Sequence, residues 1–273
     1  TKKKMNTIFN FTLLQLNKSK KVNTIMSLVN SQNVKFENII FKEPELQSIP
    51  NTNIQYRKIK FQYFNEDLGR ETDLILESPP SLMSYGLQED TDMNTGKLTG
   101  YQLPIILTSN NSSKGNSVEE NFIKLVEDIT EKTKDYLVEN KELIEKYDLV
   151  RSDLKNLSPI YRKKEKGKVV DGIPPKLYAK TIYYKNNMEI KTVFINEDEN
   201  TEVNPLSTLK KKLHCKFALK VDNIFISGSK ISLQLKLQEV SFKLAEGNNA
   251  KGTMSMLRPN VAINTNKRKE ILL

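Results

Sequence analysis

A chain of 273 residues with 37% hydrophobic side chains has room for one large or two small domains, with a modest core and long polar connections. Its 43 Lys and Arg against 33 Asp and Glu give a formal net charge of +10. That excess favours a polyanionic partner, nucleic acid first and an anionic membrane surface second. One cysteine and one histidine exclude an intramolecular disulfide and a structural zinc site, which takes about four ligands, usually Cys or His.

The chain opens with lysines and an apolar run, "TKKKMNTIFNFTLLQL". Asn6, Asn10, Thr12 and Gln15 interrupt that run and no small-residue cleavage site follows, so a first strand at 7–16 is expected and secretion is not. Nothing approaches the ~18 apolar residues of a membrane helix. Strands are then expected at 34–42, 54–64, 72–77 and 101–107. "SIPNTN" (48–53) and "ESPPSL" (77–82) break them, because proline donates nothing to a ladder. A polar linker, "TSNNSSKGNS", occupies 108–117.

Beyond it the period changes from two to three or four. Ser117 is placed to cap a helix whose first turn holds Glu119 and Glu120. Phe122, Leu125, Val126, Ile129, Thr133, Tyr136, Leu137, Leu143, Ile144 and Tyr147 mark its apolar stripe, with a break near Asn140. The stripe reads as internal packing, with homo-oligomerisation through helix 117–150 as a second use. Ten acids and five lysines give 117–150 a net −5, so the rest of the chain carries +15.

Residues 151–191 hold eleven Lys and Arg against four acids, including "YRKKEKGK" at 161–168. Two alternating runs, "KLYAKTIYYK" and "MEIKTVFI", are joined by Asn186–Asn187, a pair that tolerates positive φ and signals a hairpin. A second hairpin follows: "HCKFALKVDNIFI", the turn "SGSK", then "ISLQLKLQEVSFKL". In its last strand Ile231, Leu233, Leu235 and Leu237 share one face. Residues 246–273 read as a flexible basic tail.

Catalytic signatures fail. "DTDMNTG" at 90–96 begins like a calcium loop, but its glycine is one place late and Tyr101 stands where the bidentate Glu belongs. "NTGKL" resembles a phosphate loop, but Thr91 replaces the first glycine and Leu98 the metal-binding hydroxyl. His214 and Cys215 are neighbours in a strand and point to opposite faces, so they make no dyad. An enzyme is not expected, nor a metal or cofactor.

What remains is basic–aromatic alternation. In "YRKIKFQYF" (56–64), Tyr56, Lys58, Lys60 and Phe64 share one face, while Ile59, Phe61 and Tyr63 read as core. In "KLYAKTIYYK", Lys176, Tyr178, Lys180 and Tyr184 share another, and "KFALK" adds Lys216 and Lys220. Binding of single strands needs a cationic path for phosphates and aromatic platforms for unpaired bases. The candidate contacts are therefore Tyr56, Arg57, Lys58, Lys60, Phe64, Arg162, Lys163, Lys164, Lys176, Tyr178, Lys180, Tyr184, Lys216 and Lys220.

The segment "DLILESPPSLMSYGLQEDTDMNTGKLTGYQLPIIL" (73–107) resembles a stretch of the single-stranded-DNA-binding proteins of large nucleocytoplasmic DNA viruses. Leu74–Leu76, Pro79, Tyr85–Gly86, Thr95–Gly96–Lys97 and Gly100–Tyr101 carry the likeness, and the order of helix, basic loop and hairpins extends it over roughly 30–245. The resemblance implies an α+β, β-rich chain with an OB-fold-like barrel core over 1–245, a helical insertion at 117–157 outside it, and the tail. It also implies sequence-independent single-stranded DNA binding in viral replication, recombination or repair, in host cytoplasm or nucleus. An RNA-binding accessory of transcription and a virion assembly protein are the alternatives. Two departures stand out: the C-terminal "NTNKRKEILL" is basic, not acidic, and tryptophan is absent, leaving stacking to Tyr and Phe.

Overall fold

A computed structural model describes residues 28–31, 33–48, 53–92, 95–109, 114–228 and 230–245. The strand expected at 7–16 and the tail at 246–273 lie outside these. In chain order the strands are β1 (Leu28–Asn30), β2 (Ile39–Phe41), β3 (Glu45–Ser48), β4 (Gln55–Asn65), β5 (Arg70–Thr72), β6 (Leu74–Glu77), β7 (Leu82–Ser84), β8 (Gln88–Thr91) and β9 (Leu98–Ile106). Helix α1 (Ser117–Glu139) follows, then β10 (Ile160–Tyr161), β11 (Lys164–Glu165), β12 (Lys168–Val169), β13 (Lys176–Thr181), β14 (Tyr183–Tyr184) and β15 (Glu189–Ile190). The last are β16 (Val193–Asn196), β17 (Thr201–Val203), β18 (Leu213–Ser227) and β19 (Lys230–Leu244). The protein is β-rich α+β.

The long β18–β19 hairpin organises the rest. Its alternation sends Leu213, Cys215, Phe217, Leu219 and Val221 of β18, and Leu233, Leu235, Leu237, Val240 and Phe242 of β19, into the core. The hairpin carries two bulges, with Gln238 the extra residue of β19 opposite 218/219 and Asp222 that of β18, and the other edge of β18 meets three partners in turn. Antiparallel β7 pairs with Leu213–Cys215, β6 with Ala218–Val221 and β4 with Asn223–Ile226. On the far side β19 takes β13 and then β16 as parallel partners. Strand β13 pairs with β9, which meets β7 at Ser84↔Ile105. Five strands, β18, β7, β9, β13 and β19, thus close on one another in a ring.

Two expected long strands are broken, for one reason. The run 176–185 stops at Ile182, and 188–195 is interrupted at Lys191–Thr192. At this point β19 exchanges β13 for β16, and the buried Thr192 hydroxyl bridges the gap. It accepts from the Ile182 amide (2.8 Å) and donates to the Leu237 carbonyl (2.6 Å). The excursion between becomes the small β14–β15 hairpin, turning through Asn186–Asn187, with the positive φ of 53° falling on Met188. Likewise 72–77 divides into β5 and β6, and 34–42 opens with a 3-10 turn at Phe36–Asn38 before β2.

Helix α1 lays its stripe on this core. Phe122, Leu125, Val126, Ile129 and Leu137 are buried, Phe122 meets Phe217 edge-on (6.0 Å), and Tyr136 stacks on Phe41 (4.1 Å). The stripe is used inside the chain, as its primary reading expects, and those buried residues are not free for the self-association named as a second use. Beyond the break at Asn140 only Ile144 of the predicted set is buried, while Leu143 and Tyr147 are exposed. The cap is Asn116, one residue before the expected Ser117. Its side chain accepts from the Val118 and Glu119 amides (3.0 Å each), and Glu119 accepts in return from the Asn116 amide (2.9 Å).

Candidate nucleic-acid interface

Strands β4, β18, β19 and β13 lie side by side, so two of the sequence-predicted basic–aromatic runs share one outer sheet face. The registers run Lys58↔Phe225, Lys220↔Lys236 and Lys236↔Lys180. Three strand spacings of ~4.8 Å, about 14 Å, separate β4 from β13. Ile59, Phe61 and Tyr63 fill the opposite face of β4 and are buried, as their alternation predicts.

Carboxylates occupy much of this outer face. Lys60 pairs with Glu45 (2.7 Å), Lys180 with Asp90 (2.8 Å), and Lys220 with Asp73 (2.7 Å) and Asp222 (3.6 Å). Lys216 pairs with Glu77, and Arg57, on the other side of β4, pairs with Glu145. The hydrogen bond between Lys60 and Glu45 raises the lysine's pKa and lowers the carboxyl's. Tyr56 is committed too: its hydroxyl donates to Gln47 (2.6 Å) and its ring packs against Phe225 (5.0 Å). Phe64 stays exposed. Lys236 stands in register between Lys180 and Lys220 with no ion pair among the described residues; burial lowers its pKa, Lys180 and Lys58 nearby add to that, and Asp222 and Asp90 oppose it.

A second concentration lies at the start of β13. Strand β10 pairs with it there, setting Tyr161 opposite Lys176. The rings of Tyr161 and Tyr178 meet edge to face at 6.3 Å, and Lys176 Nζ lies 5.6 Å from the centre of the Tyr85 ring. All three tyrosines face solvent: Tyr161 is 53% exposed, Tyr178 43% and Tyr85 36%. Tyr184 is also exposed, but on the separate β14–β15 hairpin.

The basic loop 161–168 follows directly from Tyr161. Its β11–β12 hairpin turns on Lys166 (φ 49°) and Gly167 (φ 80°), both left-handed, which matches the right-handed twist of the flanking strands. A lysine at the first turn position bears some strain and sets its cation at the hairpin tip. Arg162 is held by Glu127 (2.8 Å) and Lys163 by Glu165 (2.9 Å). Lys164, Lys166 and Lys168 are exposed and make no ion pair among the described residues. Of the predicted cations, then, Lys58, Lys164 and Lys176 have no ion-pair partner among the described residues. Tyr85, Tyr161, Lys166, Lys168 and Lys236 were outside the predicted set. Tyr161 opens "YRKKEKGK" and could have been found there; Tyr85 comes from a distant segment with no basic neighbour in sequence.

No cluster of three or more His, Cys, Asp or Glu suited to a metal occurs among the described residues. No described helix is long and apolar enough to cross a membrane.

The chain is similar to proteins of large DNA viruses. It is 35% identical over 133 residues to the "Early 31 kDa protein" of Frog virus 3 (isolate Goorha), covering 47% of this chain and 49% of the relative. It is 27% identical over 193 residues to "Uncharacterized protein 007R" of Invertebrate iridescent virus 3, covering 70% of this chain and 39% of the relative. The matches thus span half or less of those relatives' lengths. A family model described as "Protein of unknown function (DUF2738)" matches residues 32–270, and the chain belongs to that family.

Proposed function

We propose that this chain is a binding protein, not an enzyme, and that it coats single-stranded DNA without sequence preference during replication, recombination or repair of a viral genome. Lysines contact phosphates and tyrosines or phenylalanines stack on bases. The observation that carries this reading is that lysines making no ion pair among the described residues (Lys164, Lys166, Lys168, Lys176) neighbour solvent-facing tyrosines, Tyr161 in sequence and Tyr161, Tyr178 and Tyr85 about Lys176. Only a polyanion that also offers flat apolar faces uses both. An OB-fold-like core belongs to the same reading, supported by the five strands that close on one another. So does a place of action at viral replication sites, in host cytoplasm or nucleus.

Fluorescence anisotropy of labelled dT and rU oligomers over a series of salt concentrations tests it. Counterion release gives a slope of about −0.7 per phosphate on a single strand, so four lysines predict a log–log slope of about −3. A slope near zero, or no binding, refutes the reading. Tighter binding of rU favours the RNA-binding alternative, and particle growth in light scattering without oligomer binding favours virion assembly.

A further inference from the structure

We infer that Tyr161, Tyr178 and Tyr85, gathered about Lys176, form the site where unpaired bases stack, with the β11–β12 hairpin tracking the phosphates beside them. The inference rests on the single-stranded DNA reading and assigns its aromatic part to one place.

Three segments converge here that are distant in sequence. Tyr161 comes from β10, Lys176 and Tyr178 from β13, and Tyr85 from the loop after β7. Tyr85 is held by the next residue. Gly86 has a φ of 82°, and a Cβ there would lie 2.3 Å from the Lys211 carbonyl and 2.4 Å from that of Thr208. Only glycine lets this loop pass so close to 208–211, where the Leu87 amide donates to Thr208 O (3.1 Å) and the Lys210 amide to Leu87 O (3.0 Å). The motif Tyr85–Gly86 therefore fixes an exposed ring beside the Lys176 ammonium.

The three phenol groups are also uncommitted. Their hydroxyls make no hydrogen bond among the described residues, whereas Tyr56 bonds Gln47 and Tyr63 accepts from the Lys35 amide (3.2 Å). An edge-to-face pair leaves both faces of the edge-on ring clear of its partner, so a planar base can lie against it. Local charge selects the ligand. Glu165 and Glu127 are paired with Lys163 and Arg162, while Lys164, Lys166, Lys168 and Lys176, against one nearby exposed carboxylate, Asp171, make no ion pair among the described residues. A duplex hides its base faces and gains only the charge; an unpaired strand gains both.

The test compares anisotropy of a dT oligomer with an abasic oligomer of the same length, which keeps the phosphates and lacks the bases. The wild-type protein is expected to prefer dT by about 5- to 150-fold for each base stacked. Y161L/Y178L should bring that ratio close to one while leaving abasic affinity within about twofold. Y161F/Y178F should keep the wild-type ratio, because only the rings matter. Y85L should lower it in part. Urea midpoints of all variants establish that the fold is intact. A wild-type ratio of one, or a ratio unchanged in Y161L/Y178L, overturns the stacking site while single-strand binding stands. Failure of the wild type to bind either oligomer overturns the DNA reading, and the site with it.

Discussion

Cys215 illustrates how far a side chain's chemistry follows its burial. Its Sγ is enclosed in the core and donates to the Leu82 carbonyl (3.5 Å), and burial pushes the thiol from 9.0 up to about 12. The unfolded chain ionises it first, so its contribution is complete below pH 9.0 and is lost as pH rises towards 12. Chemical denaturation should therefore show C215A losing less stability than the wild type as pH rises above 9.0, with a limiting difference of about 1.4 kcal/mol per pH unit. Parallel curves would show that the thiol is not held neutral. The same residue scale shows what was legible in the sequence. Alternation assigned Ile59, Phe61 and Tyr63 to the core because a strand's faces are set locally. It could not see that Lys60, Lys180 and Lys220 meet Glu45, Asp90 and Asp73, since each carboxylate arrives on another strand.

Among the elements, α1 was the most legible, because its 3–4 spacing survives any tertiary context. Its start was misplaced by one residue, since Asn116 and Ser117 are both good caps and the choice falls to the Asn116–Glu119 capping box. Glu119 is buried and also accepts from the Ser109 amide (2.9 Å), tying the helix start to the end of the preceding strand region. N116A is expected to cost about 1 kcal/mol in urea denaturation with no change in DNA affinity; a cost near zero would make Ser117 the working cap. The β13 and β16 breaks were illegible for a different reason. "KLYAKTIYYK" alternates cleanly through Ile182, and only the exchange of partners along β19, bridged by Thr192, interrupts it.

For the whole molecule, composition located the charge without locating the surface. Net charge elsewhere of +15 follows from the acidic helix, yet most cations of the sheet face carry their own carboxylate. Lys164, Lys166 and Lys168 on the β11–β12 hairpin and Lys176 at the start of β13 are some of those that make no ion pair among the described residues. The ring of five strands was illegible as well, because it depends on pairings such as Ser84↔Ile105 and Lys180↔Lys236 that join residues far apart in sequence. What the fold achieves is to bring Tyr85, Tyr161 and Tyr178 beside those lysines, and the account stands on that meeting of charge with free aromatic faces. The most direct measurement is the affinity for a labelled dT oligomer against a duplex of equal length at one salt concentration. Binding of the single strand at least about fivefold tighter is expected, the lower worth of one stacked base. Equal or tighter binding of the duplex would contradict it.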